Sequence, residues 1–259
     1  MSGWKFVKRI GSDFLAAVQF LTRIPIPHLA YDPDSLSRSV KFFPVVGLLI
    51  GSVAALVHLL ITPHLPRLVT ALLVIVFLVA ITGCLHEDGV ADAADGFGGG
   101  SNREQILSIL KDSRIGSYGG VALTLSLLAR ILLLASLPLN QVSHYLIVAN
   151  VLCRWTTLPL SYYLAPARSQ QDVAGIGQGA RIASLTTRGT LLIGSFFTVA
   201  ICIWLLRTHA AAAIVATILV TLLSGLYYQR KIGGVTGDCF GATNQLAEIT
   251  VYLTGAWIA

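Results

Sequence analysis

The run Leu85-His86-Glu87-Asp88-Gly89-Val90-Ala91-Asp92-Ala93-Ala94-Asp95-Gly96 sets four carboxylates within nine positions, directly after an apolar stretch. In a helix, Asp88, Asp92 and Asp95 fall at about 0°, 40° and −20°, one face, with Glu87 about 100° from Asp88. Only Ala, Val and Gly lie between them, so nothing bulky covers the carboxylates. Like charges this close raise one another's pKa unless a cation sits among them, and a divalent metal site is the simplest resolution. Hard carboxylates without a clustered Cys/His set favour Mg²⁺ or Mn²⁺ over zinc. Magnesium in turn favours phosphate chemistry, with one or two cations spanning a diphosphate to stabilise attacking and leaving oxygens. His86 reads as a metal ligand, as an acid/base, or simply as a helix-end histidine at an interface.

Two further segments carry groups suited to the same chemistry. Lys111-Asp112-Ser113-Arg114-Ile115-Gly116-Ser117-Tyr118-Gly119-Gly120 sets a Lys and an Arg beside glycine-rich backbone. That is either a phosphate clamp or a solvated loop next to the membrane. Gly233-Gly234-Val235-Thr236-Gly237-Asp238 is followed by Asn244 and Glu248. Backbone at Gly234 and Gly237 can wrap an anion, and Asp238 either completes a metal shell or caps the last helix. Arg130 and Arg154 interrupt long apolar runs, where a charge is costly and is usually paired or functional. Each either neutralises a substrate's charge or forms a structural ion pair, Glu248 being a candidate partner.

The elements that must position these groups are membrane helices. Hydrophobic residues make up 55% of the 259 positions and charged residues 12%, about half the charge content of an ordinary soluble domain. The expected architecture is an all-α polytopic membrane protein of one domain, residues 1–259. Apolar stretches predict six spans, near 42–61, 68–85, 119–138, 143–164, 189–206 and 210–228. A seventh, from Leu246 to Ala259, spans only about 21 Å as a helix. Near-helical spacing of Ile10, Phe14, Val18 and Leu21, stopped by Pro25 and Pro27, predicts an N-terminal interfacial helix. No apolar segment followed by a cleavage site marks a removable leader. Cys84, Cys153, Cys202 and Cys239 show no disulfide or zinc spacing.

With the N-terminus inside, fourteen of the 18 lysines and arginines fall on cytoplasmic segments. Arg67 and Arg207 fall outside, and Arg130 and Arg154 lie within spans. This positive-inside bias explains the net charge of +6 without a nucleic-acid partner. The polar content sits in cytoplasmic loops near 86–118, 165–188 and 229–245, so the expected site faces the cytoplasm. A transporter would place polar groups on both faces, and the outer loops here are nearly bare.

Rossmann and Walker fingerprints are absent. The acidic segment is similar to that of membrane CDP-alcohol phosphotransferases, but their aspartate pairs lie further apart with an Ala-Arg between them. Five ordered stretches instead resemble the cobalamin synthase (adenosylcobinamide-GDP ribazoletransferase) family across essentially the whole chain. They are Phe20-Leu21-Thr22-Arg23-Ile24-Pro25-Ile26-Pro27, Phe42-Phe43-Pro44-Val45-Val46-Gly47-Leu48-Leu49-Ile50-Gly51, the acidic run, Lys111-Asp112-Ser113-Arg114-Ile115-Gly116 and Gly233-Gly234-Val235-Thr236-Gly237-Asp238. The resemblance implies Mg²⁺-dependent transfer in a cytoplasmic (inner) membrane of a bacterium or archaeon. A hydroxyl of α-ribazole, or of its 5′-phosphate, attacks the cobinamide-side phosphorus of adenosylcobinamide-GDP and expels GMP. Under this resemblance Glu87, Asp88, Asp92 and Asp95 form the acidic metal cluster, Lys111, Arg114 and the 233–238 turn with Gly234 and Gly237 engage the diphosphate, and Asp238 and Glu248 are further metal or base candidates. With the reading of the residues themselves, Asp92, Asp95, Asp238 and His86 are the catalytic candidates, and Arg130 and Arg154 are candidate substrate contacts. Small-molecule substrates and the lipid bilayer are the implied partners, and self-association is compatible with the sequence. Cys84 departs from the family by standing where glycine is common, and Glu87 by standing where an apolar residue is often found.

Overall fold

A computed structural model describes residues 3–26, 35–112, 114–168 and 186–258. Most of the expected loop at 165–188 therefore lies outside the described residues. Within them the fold is helical: α1 (Gly3–Leu21), α2 (Ser35–Ser39), α3 (Phe43–Ile61), α4 (Arg67–Thr82), α5 (Leu85–Gly99), α6 (Arg103–Ile109), α7 (Ser117–Ser136), α8 (Val142–Trp155), α9 (Thr157–Tyr163), α10 (Arg188–Leu206), α11 (Ala210–Ile232) and α12 (Gly237–Ile258).

The expected spans are reproduced in position but not in continuity. Three helical segments among the described residues are long and apolar enough to cross a membrane: Val40–Ile61, Ser117–Ser136 and Arg188–Ile232. The last is two helices, α10 and α11, divided at the turn Arg207–His209. A fourth arises only if α4 and α5 count together, and they meet at 89°. The count of six to seven is thus not reproduced by length and hydropathy. The stretch at 143–164 breaks between α8 and α9 because Pro159 lacks an N–H and its ring crowds the carbonyl of Trp155. The last helix corrects the expectation in the other direction. It begins at Gly237 rather than Leu246 and runs 22 residues, about 33 Å, with Thr243, Asn244, Gln245 and Glu248 buried along its first half.

Close approach of glycines organises the bundle. On α3, a Cβ on Gly47 would run into the carbonyl of Asn150, and one on Gly51 would stand 2.7 Å from Ile147 Cα. This small-xxx-small face lets α3 lie backbone to backbone on α8. On α5, a Cβ on Gly89 would stand 2.9 Å from Gly241 Cα of α12. That crossing brings the acidic helix against the start of the last one.

The N-terminal helix is amphipathic as expected, but its buried stripe is Asp13, Ala17 and Leu21. Phe14 and Val18 pack beside that stripe, whereas Ile10 is exposed. Asp13 is 1% exposed and pairs with Arg38 at 3.1 Å and Lys41 at 3.2 Å. A carboxylate on an apolar helix face gave no sign of these partners, which come from 25 or more residues away.

Candidate active site

α4 ends where Gly83 and then Cys84 adopt left-handed backbone, φ 63° and 61°, and the chain turns sharply into α5. Arg23 holds this corner: its amide donates to Ile81 O at 2.8 Å, and its guanidinium donates to Gly83 O. Two consecutive left-handed residues release the helix from α4's axis and let an alanine- and aspartate-rich segment leave the apolar layer. By composition α5 lies outside the membrane-spanning segments.

α5 has two unlike faces. Val90, Ala93, Ala94 and Phe97 line an almost wholly apolar cavity of about 600 Å³ shared with α7, α11 and α12. The candidate residues instead line a smaller cavity of about 150 Å³, bounded by His86, Asp88, Arg154, Gly237, Asp238 and Asn244, among others. The Gly89–Gly241 contact closes these elements on one another. Its polar wall holds three buried atoms without a partner: His86 Nε2, Arg154 Nε and Asn244 Oδ1. Arg154 spends Nη1 on Asn150, at 3.1 Å to the carbonyl and 2.8 Å to Oδ1. Its buried charge therefore faces the cavity with no carboxylate partner among the contacts described here. His86 is held well below its usual pKa by burial, then by Arg154 and Arg130, and is neutral.

The aspartates crowd as their spacing implied. The carboxyl of Asp92 is pushed up to about 6, first by burial and then by Asp88, Asp238 and Asp95. Asp238 comes from α12, so the tertiary structure adds a carboxylate to the face that the helix period assembled. Its Oδ2 accepts from Thr236 Oγ1 at 3.2 Å. No group of three or more His, Cys, Asp or Glu among the described residues stands close enough to hold one ion. Mg²⁺ is ordinarily held by one or two carboxylates and completed by water and substrate phosphate. The pair Asp88 and Asp92, one turn apart with Asp238 opposite, fits that donor set.

The remaining candidates divide. Asp95 accepts from the amides of Gly116 at 2.7 Å and Gly119 at 2.8 Å, so both its oxygens cap the start of α7. Those glycines are required there, because a Cβ on either would collide with the Asp95 carboxylate. Glu87 and Glu248 lie away from the aspartate cluster and flank Arg130: Nη1 donates to Glu87 Oε1 at 2.6 Å, and Nε stands 3.2 Å from Glu248 Oε1. The second contact is an ion pair without hydrogen-bond alignment. Gln245 and Tyr252 donate to the two carboxylates, and Arg130 is 2% exposed. Of the two readings for Arg130, the geometry is that of the ion pair. Arg114 is exposed and bound to Asp112 at 2.6 Å, and Lys111 is exposed. Gly234 packs against the backbone of Ala165 and Ala167, and Gly237 opens α12.

Sequence reasoning passed over Arg103, which donates to Ile232 O at 2.9 Å and Ala167 O at 2.6 Å. It ties α6 to the end of α11 and to the chain after α9. Its position in a charged loop resembled that of any topology-satisfying cation.

Comparison with known proteins gives the family. A family model described as cobalamin-5-phosphate synthase matches residues 13–256. An adenosylcobinamide-GDP ribazoletransferase of Shewanella frigidimarina is 38% identical over 245 residues, 93% of this chain and 92% of the relative. Proteins of the same name from Polaromonas sp. and Clostridium botulinum are each 36% identical, covering 93% and 95% of this chain and 95% and 98% of the relatives. No solved structure matches. With the family matched over nearly its whole length and the acidic helix, glycine turn and buried arginine in one place, the chain belongs to the cobalamin-5-phosphate synthases, transferases of cobalamin biosynthesis.

Proposed function

We propose that this chain joins adenosylcobinamide-GDP to α-ribazole or its 5′-phosphate in a Mg²⁺-dependent reaction at the cytoplasmic face of a bacterial or archaeal inner membrane. The observation that carries the reading is a cavity lined by Asp88 and Asp238, with Asp92 crowded against both, whose other wall is Arg154 and His86. One wall suits a cation and the other an anion, which is the requirement of a metal-bound diphosphate.

In the transfer, an oxygen–phosphorus bond forms between the ribazole hydroxyl and the cobinamide-side phosphorus. The bond from that phosphorus to the GMP leaving oxygen breaks, and the hydroxyl proton is taken up. Asp88 and Asp92, with Asp238 beside them, would hold Mg²⁺, which would supply charge neutralisation of the diphosphate. Arg154 binds a non-bridging phosphate oxygen through its open Nε edge. His86, kept from protonation by burial and the two arginines, accepts a hydrogen bond from the hydroxyl at Nε2 and orients it, and Asp238, whose carboxyl is raised by burial, takes the proton. Asp95 maintains the angle between α5 and α7, while Glu87, Arg130 and Glu248 hold α5, α7 and α12 together.

The test is release of GMP from adenosylcobinamide-GDP by the purified chain in lipid nanodiscs, with α-ribazole 5′-phosphate and Mg²⁺. Turnover should require both substrates and stop with EDTA. Release of CMP from a CDP-alcohol, with none of GMP from the corrinoid donor, would replace this reading with phospholipid synthesis.

A further inference from the structure

Several cations around the site already have partners. Arg114 is bound to Asp112, Arg130 to Glu87 and Glu248, and Arg103 to two carbonyls. Arg168 differs from these. Its Nη2 donates to Leu107 O at 3.1 Å, its Nε is buried without a partner among the described residues, and it lies near enough to Asp238 for the two charges to interact.

Main-chain pairing puts it there. Ala167 N donates to Val235 O at 3.0 Å and Val235 N to Ala165 O at 2.9 Å, and Pro166 forms an isolated parallel bridge with Val235. Gly234 permits the approach, since a Cβ would run into the Ala165 carbonyl. The chain after α9 is thereby laid along the turn that carries Thr236 and Asp238, and Arg168 is delivered to the edge of the acidic cluster. A diphosphate substituted at both ends carries two negative charges, and together with the carboxylates of Asp88, Asp92 and Asp238 it exceeds the charge of one divalent cation, so a fixed guanidinium there has a physical use.

We propose that Arg168 is a diphosphate-binding residue, its Nε edge taking an oxygen of the donor's diphosphate at the mouth of the Asp88–Asp238 cavity. This rests on the phosphoryl-transfer reading above and adds a residue to it. Arg154 holds the deep end of the anion, and Arg168 holds the outer phosphate.

The experiment is calorimetric titration of the full chain in nanodiscs with Mg²⁺·GDP, and with Mg²⁺·GMP as the single-phosphate comparison. Arg168→Gln keeps a donor for the Leu107 carbonyl and removes the charge. It should weaken GDP binding by about tenfold, the scale of one charge-assisted hydrogen bond, with GMP binding changed far less. Unchanged GDP binding, or equal loss for both nucleotides, overturns the proposal. If Arg168→Gln lowers the melting temperature, Arg168→Lys decides. Recovery of the preference for GDP over GMP supports diphosphate binding, and loss of that preference with the charge restored overturns it. Selective GDP binding through Arg168 in a protein that releases no GMP from adenosylcobinamide-GDP would leave this inference standing and remove the proposed reaction.

Discussion

At the residue scale the acidic cluster is defined by mutual repulsion. Asp92 sits among Asp88, Asp95 and Asp238 with its carboxyl at about 6. A cation must displace its proton, so the apparent affinity for Mg²⁺ should fall as pH drops from 7.5 to 5.5. Titration of Mn²⁺ by electron paramagnetic resonance at the two values measures this, and equal affinities would remove Asp92 from the metal set. Asp92→Asn should reduce GMP release by at least about a hundredfold while leaving the melting temperature within a few degrees. Cys84 poses a separate question, because a side chain in the left-handed region costs about 1 kcal/mol or more. Cys84→Gly should accordingly stabilise the chain by up to about 1 kcal/mol, less the extra freedom glycine gains when unfolded. A raised midpoint on thermal unfolding would confirm it.

At the element scale, α5, α7 and α12 are joined by one buried network centred on Arg130. Arg130→Met leaves Glu87 and Glu248 buried without a counter-charge. The expected loss is about 3–5 kcal/mol, seen as a lowered melting temperature with the donor KM unchanged in the folded fraction. A raised KM at unchanged stability would return Arg130 to substrate binding. The Gly89–Gly241 crossing is a second joint. Gly89→Leu cannot fit against Gly241 Cα, and it should abolish turnover by separating Asp88 from Asp238 even where the protein still inserts. These joints were only partly legible in sequence. Helix period placed three aspartates on one face because that relation is local, and the same arithmetic set Glu87 off it. The partners of Glu87 and Glu248 required knowing which helices are neighbours, and a linear pattern carries no such information.

At the scale of the whole molecule, the charge distribution predicts a site that faces the cytoplasm. Cysteine accessibility tests this: in a Cys84→Gly background, Ser101→Cys should react with an impermeant maleimide only in inverted vesicles. Leu139→Cys should react only in right-side-out ones. The reverse pattern would invert the topology. Segment lengths told less than composition did. The break at Pro159 and the 22-residue last helix arise because a bundle tolerates short or polar helices once neighbours satisfy them.

The sequence by itself determined that this is a helical membrane protein, that its chemistry belongs to a cluster of carboxylates, and that its motifs are those of the cobalamin-5-phosphate synthases. Hydrophobicity, helical period and motif order are properties of the chain read in line. Only the tertiary structure decided which carboxylates stand together and which are given to amides or to a buried arginine. Asp238 comes to Asp88 and Asp92 through a contact between two glycines, whereas Asp95 is given to backbone amides and Glu87 and Glu248 to Arg130. Identical side chains acquire different work because burial and the nearest opposite charge, both set by packing, decide what a carboxylate can bind.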